Sequence, residues 1–425
     1  MRKFALMLVL LVAGVTLAFA GGGGEGAGQA KNISWQVWIT PNLTRAFYDE
    51  VVQAFEKKNP NIKVGIVEAN AATLANADDF IKTRLAAGDV PDLWWNIGTP
   101  AAYAESGLLW PIPANDPDLK KVRNLMNTAY KGKLYSFQRI IQPLGLIFYN
   151  KALWSQAGLS ATPASWAEFE AACAKASAAG LTPIITGGEW VAGMTFNTFV
   201  MPEVFHNDAS WNTDRWAGKV HFTDDIWVES TGFYKGLVDK GYFNKGALSL
   251  GYEALEQAFL GGKAVMYPMG SWFSAAEAAA TKDFEVGVFF APTKSGAAHL
   301  MQTLNFGEWA IYAKSKNPEA AYKLAKFYIM DPVYGAKALQ ADGLYSNLQP
   351  PLGYSMSPLQ KAIMDLVPKA VTTSGMYDTN VGMQPPAGIA DEYNTFGQQI
   401  LAGKVTDVRE ALKQLDAFWD KAPKP

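Results

Sequence analysis

Apolar and polar positions alternate from Ile33 to Ile39 (I-S-W-Q-V-W-I), which predicts a strand with Trp35, Val37 and Ile39 on one face. Thr40-Pro41 then offers a helix N-cap with proline in the first turn. Leu43, Phe47, Val51 and Phe55 follow at every fourth position until Lys57-Lys58-Asn59-Pro60 stops the helix. Ile62, Val64 and Ile66 return as a second strand. A strand, helix, strand order with short links predicts a parallel sheet with a right-handed crossover. Ligands of such sheets sit beyond the carboxyl ends of the strands, which makes Trp38, Thr40 and Asn42 candidates for a cleft edge. Asp78 to Ala87 reads as a further helix stopped by Gly88, and Pro91-Asp92-Leu93-Trp94-Trp95-Asn96 as the next strand. Adjacent tryptophans on a strand point to opposite faces. One of the two at most belongs to the core, and Trp95 and Asn96 are assigned to the cleft.

Farther along, Lys131 to Asn150 has the pattern of a passage between domains. Gln142-Pro143 interrupts it, and Leu144 to Tyr149 is almost wholly apolar, as in a strand buried on both faces. Ser165-x-x-Glu168 is a capping box for a helix bearing Trp166, Phe169 and Cys173, and Thr182 to Ile185 returns as a strand. Thr186-Gly187-Gly188-Glu189-Trp190 follows at that strand's carboxyl end, which makes Trp190 a site candidate. Gly193 to Gly251 is helical but poorly marked. Ala264 to Tyr267 is a short strand, Gly270 permits a tight turn, Ser271 is a candidate cap, and Trp272 falls at the start of the alanine-rich helix that follows. Phe284 to Phe290 alternates as a strand broken by Pro292, where the chain is expected to recross. Asn317-Pro318 and Asp331-Pro332 open two helices, and Ala411, Leu412, Leu415, Phe418 and Trp419 mark the last amphipathic one.

Several local motifs share one resemblance. Gly132-Lys133-Leu134-Tyr135, Tyr149-Asn150-Lys151, Ala157-Gly158-Leu159 and Pro163-x-Ser165-Trp166-x-Glu168-Phe169 are similar to segments of the extracellular solute-binding proteins that feed carbohydrate ABC importers. So is Phe259-Leu260-Gly261-Gly262-Lys263-Ala264-Val265-Met266-Tyr267 with Gly270-Ser271-Trp272, which resembles that family's F-x-x-G-K-A-A-M motif and G-x-W turn. The resemblance implies an α/β, two-lobed periplasmic-binding-protein fold of type II, each lobe a mostly parallel sheet flanked by helices, joined by hinge crossings. It implies an N-terminal lobe of 31–141 and 283–344 and a C-terminal lobe of 142–282 and 345–425. It further implies that Trp272 stacks on a sugar, that Asn305 and Glu308 in Leu304 to Ala313 offer polar contacts, and that Asp378 adds a late one. The expected partners are a sugar or oligosaccharide and the transmembrane subunits of an ABC permease. The protein is expected to act as a monomer without cofactor or metal, and without chemistry of its own.

Composition narrows the rest. Fourteen tryptophans suit a site built on flat apolar faces, because a pyranose presents apolar C–H faces and hydroxyl edges, and the edges suit Asn, Asp and Glu. A net charge of −2 from 37 basic and 39 acidic residues supplies no field for nucleic acid or a membrane surface. Met1 to Ala20, with Arg2, Lys3, an apolar run and Ala18-Phe19-Ala20, reads as an export signal, and residues 21–30 as a glycine-rich tether. Gly21 to Gly24 stand where many relatives carry a lipid-modified cysteine, so a periplasmic or extracellular protein is expected and lipid anchoring is not. Gly21-x-Gly23-x-x-Gly26 has no strand before it and is not a dinucleotide site. The single Cys173 reads as core, and the three histidines lack metal-ligand spacing. Two other readings fit an aromatic-rich exported chain: a secreted glycoside hydrolase and a surface polysaccharide-binding adhesin.

Overall fold

The computed structural model describes residues 30–70, 77–95, 100–123, 125, 129–137, 140–302, 309–373, 375, 385–386 and 388–424. The signal and tether therefore lie outside the described residues. Strand β1 (Lys31–Ile39), helix α1 (Arg45–Lys58) and strand β2 (Ile62–Asn70) form the expected parallel unit, in register from Lys31 opposite Ile62 to Ile39 opposite Asn70. Helix α2 (Ala77–Ala87) leads to β3 (Leu93–Trp95), which joins β1 on its other edge, also in parallel. Trp35 is fully buried and meets Tyr48, Trp309 and Tyr328 edge-on at 5.3–5.4 Å. Trp94 is core while Trp95 is half-buried, as the strand alternation requires. The start of α1 differs from expectation. Its N-cap is Thr44, whose hydroxyl accepts from Phe47 N–H, whereas Thr40 closes the turn before it by accepting from Leu43 N–H at 2.9 Å.

The chain crosses at β4 (Ile140–Ile141) and enters the second lobe as β5 (Leu146–Asn150). Helix α3 (Trp166–Ala178) carries both arms of the Ser165/Glu168 capping box and buries Phe169, Ala172, Cys173 and Ala176. Helix α4 (Glu189–Asn207) is buried on every side from Val191 to Phe205 and runs through the lobe's interior, mostly apolar as such helices are. Then come α5 (Tyr252–Leu260), β6 (Met266–Met269), α6 (Phe273–Ala279) and β7 (Val286–Phe290). β6 and β7 flank β5, both antiparallel to it, and parallel bridges from Ile184 to Met266 and Phe243 extend the sheet. The chain returns as β8 (Trp309–Ile311), antiparallel to β3, and continues through α7 (Pro318–Met330) and α8 (Tyr334–Ala341). Strand β9 (Tyr345–Ser346) pairs with β4 at the crossing, and α9 (Val408–Lys421) is the last helix. The main sheet of each lobe thus has most strands in one sense and one against them. In the first sheet that strand is β8, in the second β5, and each is the strand arriving from the other lobe.

Two expectations are corrected here. Residues 284–290 do not open the return to the first lobe: β7 pairs with β5, and His299–Gln302 pairs with Pro143–Leu144, so the return falls between Gln302 and Trp309. Residues just past 345 still touch the first lobe, since Arg123 N–H bonds Asn347 O at 3.0 Å and Gln349 N–H bonds Lys121 O at 2.7 Å. Apolar burial follows the same division. One cluster, including Trp35, Val51, Phe55, Leu93 and Ile311, fills the first lobe, and others, around Phe169, Phe196 and Trp227 and around Phe148, Phe259 and Tyr267, fill the second. A small cluster of Ile140, Leu339 and Leu344, with Trp272, Leu352 and Tyr354 against it, sits at the crossing.

Candidate functional site

On the first lobe, Trp38 is the last but one residue of β1 and Trp95 ends β3, and their rings meet edge to face at 5.7 Å. Buried Gln36 fixes this edge by accepting Trp95 N–H at 2.9 Å, and the Tyr48 hydroxyl donates to Trp38 O at 3.2 Å. Thr40, one residue beyond β1, accepts from Leu43 N–H in its own turn, and its hydroxyl keeps an O–H donor. Asn42 stands next to it, its amide donating to Asp342 Oδ1 at 3.4 Å. Asn96, Asn305, Glu308 and Asp378 lie outside the described residues.

On the second lobe three helix starts converge. Trp190 is the second residue of α4, Tyr252 the first of α5, and Trp272 immediately precedes α6. The Trp190 ring lies 5.0 Å from Tyr252 and 6.2 Å from Trp272, so the three form one half-buried wall. Trp272 rests on the crossing cluster, and Gly270 makes room for it: a Cβ at residue 270 would fall 1.9 Å from the indole ring. Ser271 does not cap α6, as the sequence suggested. The chain enters the helix with Trp272 already helical, Ser274 N–H bonding Ser271 O at 3.1 Å, and the Ser271 hydroxyl buried without a partner. Glu189 opens α4 at φ 53°, a left-handed conformation uncommon for a side chain-bearing residue, directly before Trp190.

Behind the wall the Tyr252 hydroxyl donates to Glu256 Oε2 at 3.1 Å, while Trp272, whose indole N–H is a donor only, acts to lower the Tyr252 phenol. Burial pushes the Glu256 carboxyl up to about 7, with Glu253 adding to the effect and the Tyr252 bond opposing it. Burial likewise raises the Tyr252 phenol, and Glu256 and Asp342 raise it further. The Asp342 carboxylate thus acts on Tyr252 and, by the Asn42 contact, connects the end of β1 to the second-lobe wall.

The structure brings Trp38 together with Trp95, and Trp190 with Trp272. Tyr252, Glu256 and Asp342 escaped the sequence reading. A signal existed for Glu256: it lies among Tyr252, Leu255 and Phe259 on the buried stripe of α5, where an acid is out of place. Trp309, which follows the Glu308 candidate, is core, packed on Trp35 and Tyr328. Among the described residues no group of three or more His, Cys, Asp or Glu could hold a metal, and no helix is long and apolar enough to cross a membrane.

Two lobes joined by crossing strands, with ring clusters at the strand ends of one and the helix starts of the other, define a type II solute-binding protein. Residues 40–332 match the bacterial extracellular solute-binding protein family, and the chain belongs to that family. Membership implies a periplasmic or extracellular location. The chain is similar to a multiple sugar-binding protein of Streptococcus mutans, 25% identical over 340 residues that cover 77% of this chain and 78% of the relative. A galactooligosaccharide-binding protein of Bacillus subtilis is 25% identical over 338 residues, 75% of each chain. Among solved structures, a chitin oligosaccharide binding protein superposes with a TM-score of 0.79 at 23% identity, covering 93% of this chain and 99% of that one.

Proposed function

We propose that this protein is the substrate-binding subunit of an ABC importer, one that captures a sugar or oligosaccharide between its lobes and hands it to a membrane permease. The observation that carries this is the pair of half-buried indole clusters, Trp38 with Trp95 and Trp190 with Trp272 and Tyr252, in a fold of this family. Rings of this kind cover the apolar faces of a sugar, while Asn42 and Asp342 offer a donor and an acceptor to its hydroxyls. Thr40 with Asn96, Asn305, Glu308 and Asp378 completes the proposed contact set. Closure follows if the sugar touches both lobes, because only differential binding favours the closed state. In this reading the subunit performs no hydrolysis, it is exported by cleavage after Ala20, and it works as a monomer.

A thermal-shift screen over oligosaccharides tests the proposal, since ligand at a hundredfold excess over its Kd raises stability by about 2.7 kcal/mol. A panel that moves nothing overturns it. New reducing ends after incubation with the bound sugar would instead indicate the glycoside hydrolase.

A further inference from the structure

Glu256, behind the wall, has no part in the binding role so far. Glu256 is 3% exposed and stands one helical turn from Tyr252 on the same face of α5. It accepts the Tyr252 hydroxyl at 3.1 Å, and the Trp272 indole acts on the Tyr252 oxygen. The Glu256 charge also raises the phenol of Tyr267 on β6, whose hydroxyl is fully buried and without a hydrogen-bond partner. The other charges bearing on this group are Glu253 from α5, acting on Glu256, and Asp342 from the end of α8, acting on Tyr252. Both are acidic, and the Tyr252 bond is what favours the Glu256 carboxylate.

We propose that Glu256 is a positioning residue for the ligand: as a carboxylate it holds the Tyr252 hydroxyl inward, Tyr252 then holds the Trp272 indole, and protonation of Glu256 loosens both, weakening sugar binding. The inference rests on the carbohydrate reading above. A carboxylate only accepts, so it fixes the Tyr252 proton inward and leaves the phenol oxygen to the indole N–H. A protonated carboxyl carries its own O–H, which competes with the indole for that oxygen, and the ring that faces the sugar loses its tether. Because the carboxyl sits in an apolar shell, the exchange of forms falls close to neutral pH. Reciprocity then requires that the sugar, preferring the carboxylate form, expel a proton as it binds.

The test is calorimetric titration of the full-length mature chain with chitin trisaccharide and with raffinose, followed by the rest of the oligosaccharide panel, at pH about 6 and about 8 in buffers of differing ionisation enthalpy. The expected result is at least about fivefold tighter binding at the higher pH, with proton release, in wild type, and no pH dependence in Glu256→Gln. Tyr252→Phe, which keeps the ring, should flatten the profile in the same way and serves if Glu256→Gln does not fold. Infrared difference spectra of the unliganded protein should show a protonated carboxyl at pH about 6 that is gone at about 8, and that is missing from Glu256→Gln. Wild-type affinity that is equal at both pH values, or a pH dependence that survives in both variants, overturns the role of Glu256 and leaves the carbohydrate reading standing. A wild type that binds no member of the panel overturns both.

Discussion

Gly270 and Trp272 show how one residue type can be dictated by its neighbour. The indole occupies the space in which a side chain at 270 would begin, 1.9 Å from an ideal Cβ. Gly270→Ala must therefore displace the ring, and we expect it to weaken oligosaccharide binding by about tenfold or more, as loss of a stacked aromatic does. Calorimetric titration checks this, and unchanged affinity would remove Trp272 from the site. Trp272→Ala is a less specific probe, because the ring also packs against three apolar clusters and its loss is expected to cost stability by about 1–3 kcal/mol as well as affinity. Glu256 allows a prediction with a definite sign. Its carboxyl titrates at about 7 in the folded chain against about 4.5 when unfolded, so the folded state holds the proton more tightly. The stability this provides is complete below the unfolded value and is lost as pH rises through about 7. Glu256→Gln escapes that loss. Chemical denaturation should find it more stable than wild type at pH about 8, by roughly 1–3 kcal/mol, with the advantage shrinking towards pH about 5.

Elements that announce themselves by local period were legible in the sequence, and those decided by distant partners were not. The four-residue stripe of α1, the capping box of α3 and the apolar face of α9 need no knowledge of the rest of the chain. The pattern of β7 suits the edge of either sheet, and only its pairing with β5 assigns it to the second lobe. Thr40 and Thr44 are both competent caps, and the turn between them decides which one serves. The site divides in the same way. Trp38, Trp95, Trp190 and Trp272 stand at strand ends or helix starts, where alternation and turn residues mark them. Tyr252 and Asp342 carry no local mark among 17 tyrosines and 39 acids. The α9 helix is held by more than its stripe. Asp416 accepts from Arg215 Nη2 at 3.1 Å, from the backbone N–H groups of Phe222 and Thr223 at 2.9 and 3.2 Å, and from the Thr223 hydroxyl at 3.0 Å. Removing that carboxylate leaves Arg215, whose side chain is 3% exposed, with only the more exposed Asp420 carboxylate at 2.7 Å, and deprives the Phe222 and Thr223 N–H groups of their acceptor. We expect Asp416→Ala to cost about 3–5 kcal/mol in a urea titration while leaving sugar affinity unchanged, because the cluster lies within the second lobe's own core.

At the scale of the whole molecule, separate apolar cores, with β4, β9 and the Ile140–Leu339–Leu344 cluster at the crossing, are the arrangement that a hinge rotation of the two lobes requires. Small-angle scattering with saturating oligosaccharide should report a smaller radius of gyration than without it. A binding-competent protein whose dimensions stay fixed would match the surface adhesin instead.

In both sheets the strand running against its neighbours is the one supplied by the opposite lobe. A chain emerging from the amino end therefore cannot seal its first sheet when β3 has appeared. It must wait for β8, after nearly the whole second lobe has followed, and until then β3 presents an open edge. A chain cut after Gln302 would keep that edge permanently, and should stick to other copies of itself where the complete chain remains dispersed.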